Sequence, residues 1–153
     1  MNFDKLTVRS QQAIAAAQEA ARRRGNPEVY PEHLLLALLD DELFADWQHL
    51  RAGAEQRLAA KPAVQGAENL QPQAGAAFRR VLDRAEEEMR KLEDEYVSMD
   101  HLFLALEPAP REEILAWIQK TRGGQRVVSQ DPEGTFQALA KFGRDLTEAA
   151  EQG

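Results

Sequence analysis

The sequence predicts an all-α protein: a duplicated helical repeat with two pseudo-symmetric halves of up to four helices, then a linker and a C-terminal helix. Three observations carry this. PEHLLLALL at residues 31–39 returns, nearly unchanged, as MDHLFLALE at residues 99–107. Upstream of both, apolar residues recur at helical spacing. The chain is also rich in Ala, Leu, Glu, Arg and Gln, all good helix formers, and only 7% aromatic.

The duplication has a fixed register. His33 and His101 lie 68 positions apart. At that offset Leu34, Leu36, Ala37 and Leu38 meet Leu102, Leu104, Ala105 and Leu106, and Leu35 meets Phe103. Without a gap, Ala13, Ile14, Ala17, Ala21 and Val29 meet Val81, Leu82, Ala85, Met89 and Val97. The matched positions are mostly apolar, so the repeat copies a packing pattern rather than reactive groups.

Residues 1–61 form the first repeat. Thr7 suits the N-cap of a long helix, with Leu6 as a staple beside it. Ile14, Ala17 and Ala21 share its buried face. Arg22, Arg23 and Arg24 favour the C-terminal dipole, and Gly25-Asn26-Pro27 ends the helix. Pro31 fits the first turn of a second helix. Leu43, Phe44, Trp47 and Leu50 fit one face of a third, ending near Gly53, and residues 54–60 form a short fourth piece before Pro62. Residues 62–71 read as a connector.

The second repeat occupies residues 72–124. Pro72 suits the first helical position, and Phe78, Val81, Leu82, Ala85, Met89 and Leu92 make one apolar stripe. Ser98 can cap the next helix. Glu32 and Asp100 each sit near a helix N-terminus, where negative charge is favoured. Pro108 and Pro110 break the chain. Ile114, Leu115, Trp117 and Ile118 mark a helix ending at Gly123-Gly124. Neither half has enough apolar surface alone, so the two should pack about a pseudo-twofold axis. Residues 125–134 read as a linker by their Gly, Pro and polar content. In residues 135–153, Phe136, Leu139, Ala140, Gly143, Leu146 and Ala150 share a stripe with no evident partner, which reads as the start of a further domain.

Composition excludes several classes. The formal net charge is −7, which opposes nucleic-acid binding. There is no cysteine, so disulfide and thiolate chemistry are excluded, and a reducing cytoplasmic setting fits. The N-terminus lacks a signal-peptide core, and the longest apolar run, residues 34–39, is too short to span a bilayer. Ser98, Asp100 and His101 have the residue types of a hydrolase triad but crowd into one helical turn, so a helix start is the better reading. His33, His101, Glu32 and Asp100 are acceptable zinc ligands, yet repeat symmetry alone explains them.

The HLLLALL-like segments, the DEYVSMDHLFLAL stretch, the opening KLTVRSQQAIAAAQ, and RGG followed by FQALAKFGRDLTEAA resemble the Clp N-terminal repeat family, in particular its ClpB-type disaggregase members. Residues 40–62 and 107–121 are shorter than that pattern, which leaves the helix number open. The resemblance implies a domain that captures exposed hydrophobic segments of unfolded or aggregated proteins for an ATPase ring. The parent would be a homohexamer using ATP and Mg, cooperating with a DnaK-type chaperone. The alternative is an adaptor-docking domain of a Clp protease regulatory ATPase. No Gly-Lys pair occurs in the sequence, so the phosphate-cradling turn of an ATPase is missing and no cofactor is expected in this chain. The fragment is expected to be monomeric. By the same resemblance, substrate handling falls on Thr7, Asp94 and Asp100, with Leu82 in a groove, whereas the neighbouring groove leucines are Arg84 and His101 here. The plainer readings are an N-cap for Thr7, an exposed loop or helix end for Asp94 and a dipole partner for Asp100.

Overall fold

Helix α1, Val8–Arg23, begins where Thr7 turns extended and its hydroxyl oxygen accepts the Ser10 amide. In this computed structural model, which describes residues 2–64, 71–139 and 141, the chain continues through β1 (Glu28–Val29) and α2 (Pro31–Leu39). A 3-10 segment, Glu42–Leu50, leads into α3, Arg51–Ala59. Then come β2 (Gln73–Ala74), α4 (Ala76–Lys91), α5 (Met99–Leu106) and α6 (Arg111–Arg122). Residues 133–139 are again helical.

The packing follows the repeat. Helix α2 lies on α1 as α5 lies on α4, and α2 also meets α5. Ala17, Ala21 and Ala85 are fully buried, and such small residues allow close helix approach. Leu34, Leu38, Leu102 and Phe103 fill the space between. Two short parallel pairings join the halves, Leu6 with Val97 and Val29 with Ala74. At the offset of 68, Leu6 is the counterpart of Ala74 and Val29 of Val97. The two pairings are therefore one contact made twice with the halves exchanged. Their hydrogen bonds agree: the Thr7 amide donates to the Val97 carbonyl, and the Gly75 amide to the Val29 carbonyl. This is the pseudo-twofold relation in backbone form.

Some expected boundaries shift. Pro72 does not start a helix. It precedes β2, and α4 begins at Ala76 with Gly75 as its N-cap, because the backbone here is committed to pairing with β1 first. The third helix does not end at Gly53, which lies inside α3. Instead the 3-10 segment kinks at Phe44. That kink turns Phe44 and Trp47 inward onto Phe103 and Trp117, with ring centroids 5.0–5.7 Å apart. Four aromatic rings from both halves thus close one end of the core. The stripe on α4 is buried at Phe78, Val81, Ala85 and Met89, whereas Leu82 and Leu92 are half-buried. Ala140, Gly143, Leu146 and Ala150 of the tail stripe lie outside the described residues.

Because the aromatic cluster spans both halves, Phe103→Ala should lower stability by about 3–5 kcal/mol. Urea unfolding followed by helical signal and by tryptophan emission should still give one coincident transition. Separate transitions would mean that the halves unfold independently.

Candidate functional site

The polar positions singled out in the sequence converge on the buried end of the second repeat. His101 sits at the third position of α5, and its Nδ1 accepts the Ser98 amide at 2.9 Å. In the first repeat, His33 Nδ1 accepts the Tyr30 amide at 2.8 Å. An acceptor Nδ1 carries no hydrogen, so Nε2 does. That hydrogen is donated to Asn26 Oδ1 at 2.9 Å in the first repeat and to Asp94 Oδ2 at 2.7 Å in the second. Both histidines are fully buried, and both ring nitrogens of each are engaged. Each ring therefore fastens its helix start to the preceding loop. Ser98 stands at the N-cap, and its hydroxyl donates to Asp100. Ser98, Asp100 and His101 are closed from solvent, so the triad reading has no substrate access.

One difference between the copies decides the electrostatics. Asn26 is neutral, whereas its counterpart Asp94 is an acid. Asp94 is not the exposed loop residue expected, for its side chain is completely buried. The reason is Arg122, from the last turn of α6. Its Nη1 donates to Asp94 Oδ2 at 2.8 Å, and its Nε and Nη2 donate to the two oxygens of Asp100 at 2.8 and 3.0 Å. Burial pushes both carboxyls up, but donors win. His101, the Val127 amide and Arg122 hold Asp94 below the usual carboxylate range. The Arg122 guanidinium and the Ser98 hydroxyl do the same for Asp100. Asp100 is thus more than a dipole partner: it is half of a buried two-acid clamp on one guanidinium.

The segment read as a linker lies against this clamp. The Val127 amide donates to Asp94 Oδ1, and the Val127 carbonyl accepts the Glu95 amide. The Gln130 carbonyl accepts the Val8 amide at 2.8 Å. Glu133 is fully buried, and its Oε2 accepts the Thr7 hydroxyl at 2.6 Å and the Met99 amide at 3.1 Å. Phe136 is buried with Arg122 over its ring. Thr7 is the expected N-cap, and its hydroxyl also bridges to the tail. Burial pushes the Glu133 carboxyl up despite those hydrogen bonds. Sequence reasoning missed Glu133 and Arg122. Polar composition marks where regular structure stops, not whether the segment is paired, although an acid in Asp-Pro-Glu ahead of an apolar stripe was a usable signal for a helix start.

The remaining positions lie apart from the clamp. Leu82 is half-buried on α4, and Arg84 donates to the Ala105 carbonyl. A hollow of about 330 Å³ is lined by Leu92, Leu115 and Ile118, with Arg122, Gln125 and Arg126 on its rim.

The description Clp repeat (R) N-terminal domain fits residues 5–120. The chain belongs to the Clp N-terminal repeat family. The chaperone protein ClpB of Nitratidesulfovibrio vulgaris is 38% identical across the whole chain, and that of Bacillus cereus is 34% identical, again over all of it. In both, this chain spans about a fifth (21%) of the relative's length. The fold matches the Hsp104 N-terminal domain of Candida albicans with a TM-score of 0.72 at 21% identity, over 84% of this chain and 99% of that one. The N-terminal domain of ClpD from Arabidopsis thaliana gives 0.54 at 20% identity, over 95% and 97%. Among the described residues, no helix is long and apolar enough to cross a membrane.

Removing the cation should leave two buried acids unpaired. Arg122→Leu is expected to cost about 3–5 kcal/mol at pH 7. Urea unfolding at pH 5 should show the gap narrowing, since the unpaired carboxyls then take up protons, whereas the native pair, held low, does not. A second expectation concerns the first repeat. Burial, then Arg24, hold the His33 ring down at about 4 against its ordinary 6.5, with Glu32 opposing. A lowered histidine favours the fold above 6.5, and that contribution is lost as pH falls toward 4. His33→Gln should remove this loss, roughly 3 kcal/mol at most, from stability measured across the window.

Proposed function

We propose that this chain is the N-terminal substrate-binding domain of an ATP-dependent protein disaggregase, which captures exposed hydrophobic segments of unfolded or aggregated proteins for threading by an ATPase ring. The observation that carries the reading is that the match to ClpB chaperones runs over the whole of this chain, tail as well as repeats, and over a fifth (21%) of theirs. On this reading ATP and Mg belong to the ring and not to this chain, the assembled protein is a cytoplasmic homohexamer working with a DnaK-type chaperone, and the 153 residues alone are monomeric.

The chemistry of capture would be apolar burial. The half-buried Leu82, Leu92 and Leu115 offer hydrocarbon without a directed polar partner, which favours weak binding tolerant of sequence. Thr7, Asp94 and Asp100 would serve this function by positioning, since their side chains are closed from solvent. A second reading, docking of an adaptor protein, is favoured by the fold likeness to ClpD, a chaperone described as associated with the caseinolytic protease.

Fluorescence anisotropy of a labelled, permanently unfolded reporter protein tests the proposal. Saturable binding is expected with a dissociation constant on the order of 10–100 µM. Leu92→Ser with Leu115→Ser should weaken it severalfold without loss of helical signal. Absence of binding by well-folded protein overturns substrate capture and leaves adaptor docking.

A further inference from the structure

We propose that residues 125–139 form a releasable strap, and that Glu133 is the positioning residue that fastens it. Thr7, Asp94 and Asp100, the three polar positions singled out in the sequence, are buried and all bear on this segment. Thr7 gives its hydroxyl to Glu133, Asp94 takes the Val127 amide, and Asp100 fixes Arg122 over Phe136. Each of these side chains also serves its own repeat, Thr7 as the cap of α1 and Asp94, Asp100 and Arg122 as the clamp between segments of the second half, and each makes a further contact to the strap. The first copy makes its own histidine bridge with neutral Asn26, and no arginine pairs with it. The acid, the arginine and the threonine cap are the features that hold the strap.

The hold is strong in direction and modest in depth. Four backbone amides, those of Val8, Glu95, Met99 and Val127, each make one hydrogen bond between strap and domain, and the side chains of Gln130 and Gln137 add bonds to the Asp4 carbonyl, Arg9 and Glu42. Val127 and Phe136 are its buried apolar anchors, whereas Val128 and Leu139 remain exposed. Glu133 Oε1 is buried without a hydrogen-bond partner. A carboxyl group kept from water with one oxygen unsatisfied opposes docking. The Arg126–Glu93 ion pair is exposed and adds little. Such a segment opens at lower free energy than the core. Docked, it fixes where the chain leaves the domain. Released, it frees that exit and uncovers Thr7 and the Arg122 clamp together.

Native-state hydrogen exchange on the 153-residue chain, across low urea concentrations, tests this without any substrate. The amides of Val8, Glu95, Met99 and Val127 should exchange together through an opening with a shallow urea dependence. Those of Ala17, Ala85 and Ile118, inside α1, α4 and α6, should require global unfolding. Glu133→Ala should raise exchange at the four strap amides about tenfold or more and leave the other three unchanged, and Glu133→Gln should restore part of the protection. If the four amides in the native sequence exchange with the same free energy and urea slope as Ala85, the strap is an inseparable part of the fold and the proposal falls. Unchanged protection in Glu133→Ala overturns the role of Glu133.

Discussion

The guanidinium of Arg122, held between Asp94 and Asp100, is the interaction on which the second half of the molecule depends. Three chain segments meet there: the loop after α4, the first turn of α5 and the last turn of α6. Each brings a charge that would be costly alone in a buried place. Together they satisfy one another with three hydrogen bonds of 2.8–3.0 Å. An ion pair so enclosed contributes less to net stability than to uniqueness, because few other arrangements of these segments would leave no charge stranded. It also turns the Asp94 carboxylate so that its second oxygen meets the Val127 amide, which is how a feature of packing becomes a feature of the tail.

The first half does the same mechanical job without charge. Asn26 bonds the His33 ring and, through its amide nitrogen, the Pro62 carbonyl. The histidine bridge is thus the common device of both repeats, and the carboxylate–arginine clamp is an addition to one of them. The helix starts differ too. Thr7 has Gly75 as its counterpart, and a β-carbon at Gly75 would stand 2.8 Å from Glu28 Oε2 and 3.2 Å from the Val29 carbonyl. A side chain there would require Glu28 to swing aside and the Val29 carbonyl to give by a few tenths of an ångström, so the second copy starts α4 without the cap that the first copy uses.

Much of this was legible in the sequence. The duplication, its offset and the apolar faces of α1, α4 and α6 follow from periodicity, because burial of one helical face is a local and repeated demand. Thr7 as a cap and Pro31 at a first turn follow from backbone chemistry. Boundaries at Pro72 and Gly53 did not, since strand pairing across 45 residues (Glu28 with Gln73) and the aromatic cluster overrode local preference. The convergence of Thr7, Asp94 and Asp100 was legible only through a family pattern. Glu133 was legible as a helix start but not as a partner of Thr7, and Arg122 not as a partner of the acids: nothing local distinguishes a cation that ends a helix in water from one that ends it between two acids.

The exchanged pairing of Leu6 with Val97 and of Val29 with Ala74 has a kinetic consequence. Each half lends its entering strand to the other, so neither can finish its own helix starts first. A chain built almost wholly from local helical turns must nonetheless close loops of about 45 and 90 residues before its backbone is satisfied. Its folding speed is accordingly set by these distant meetings, as in β-proteins, and not by how fast its helices wind.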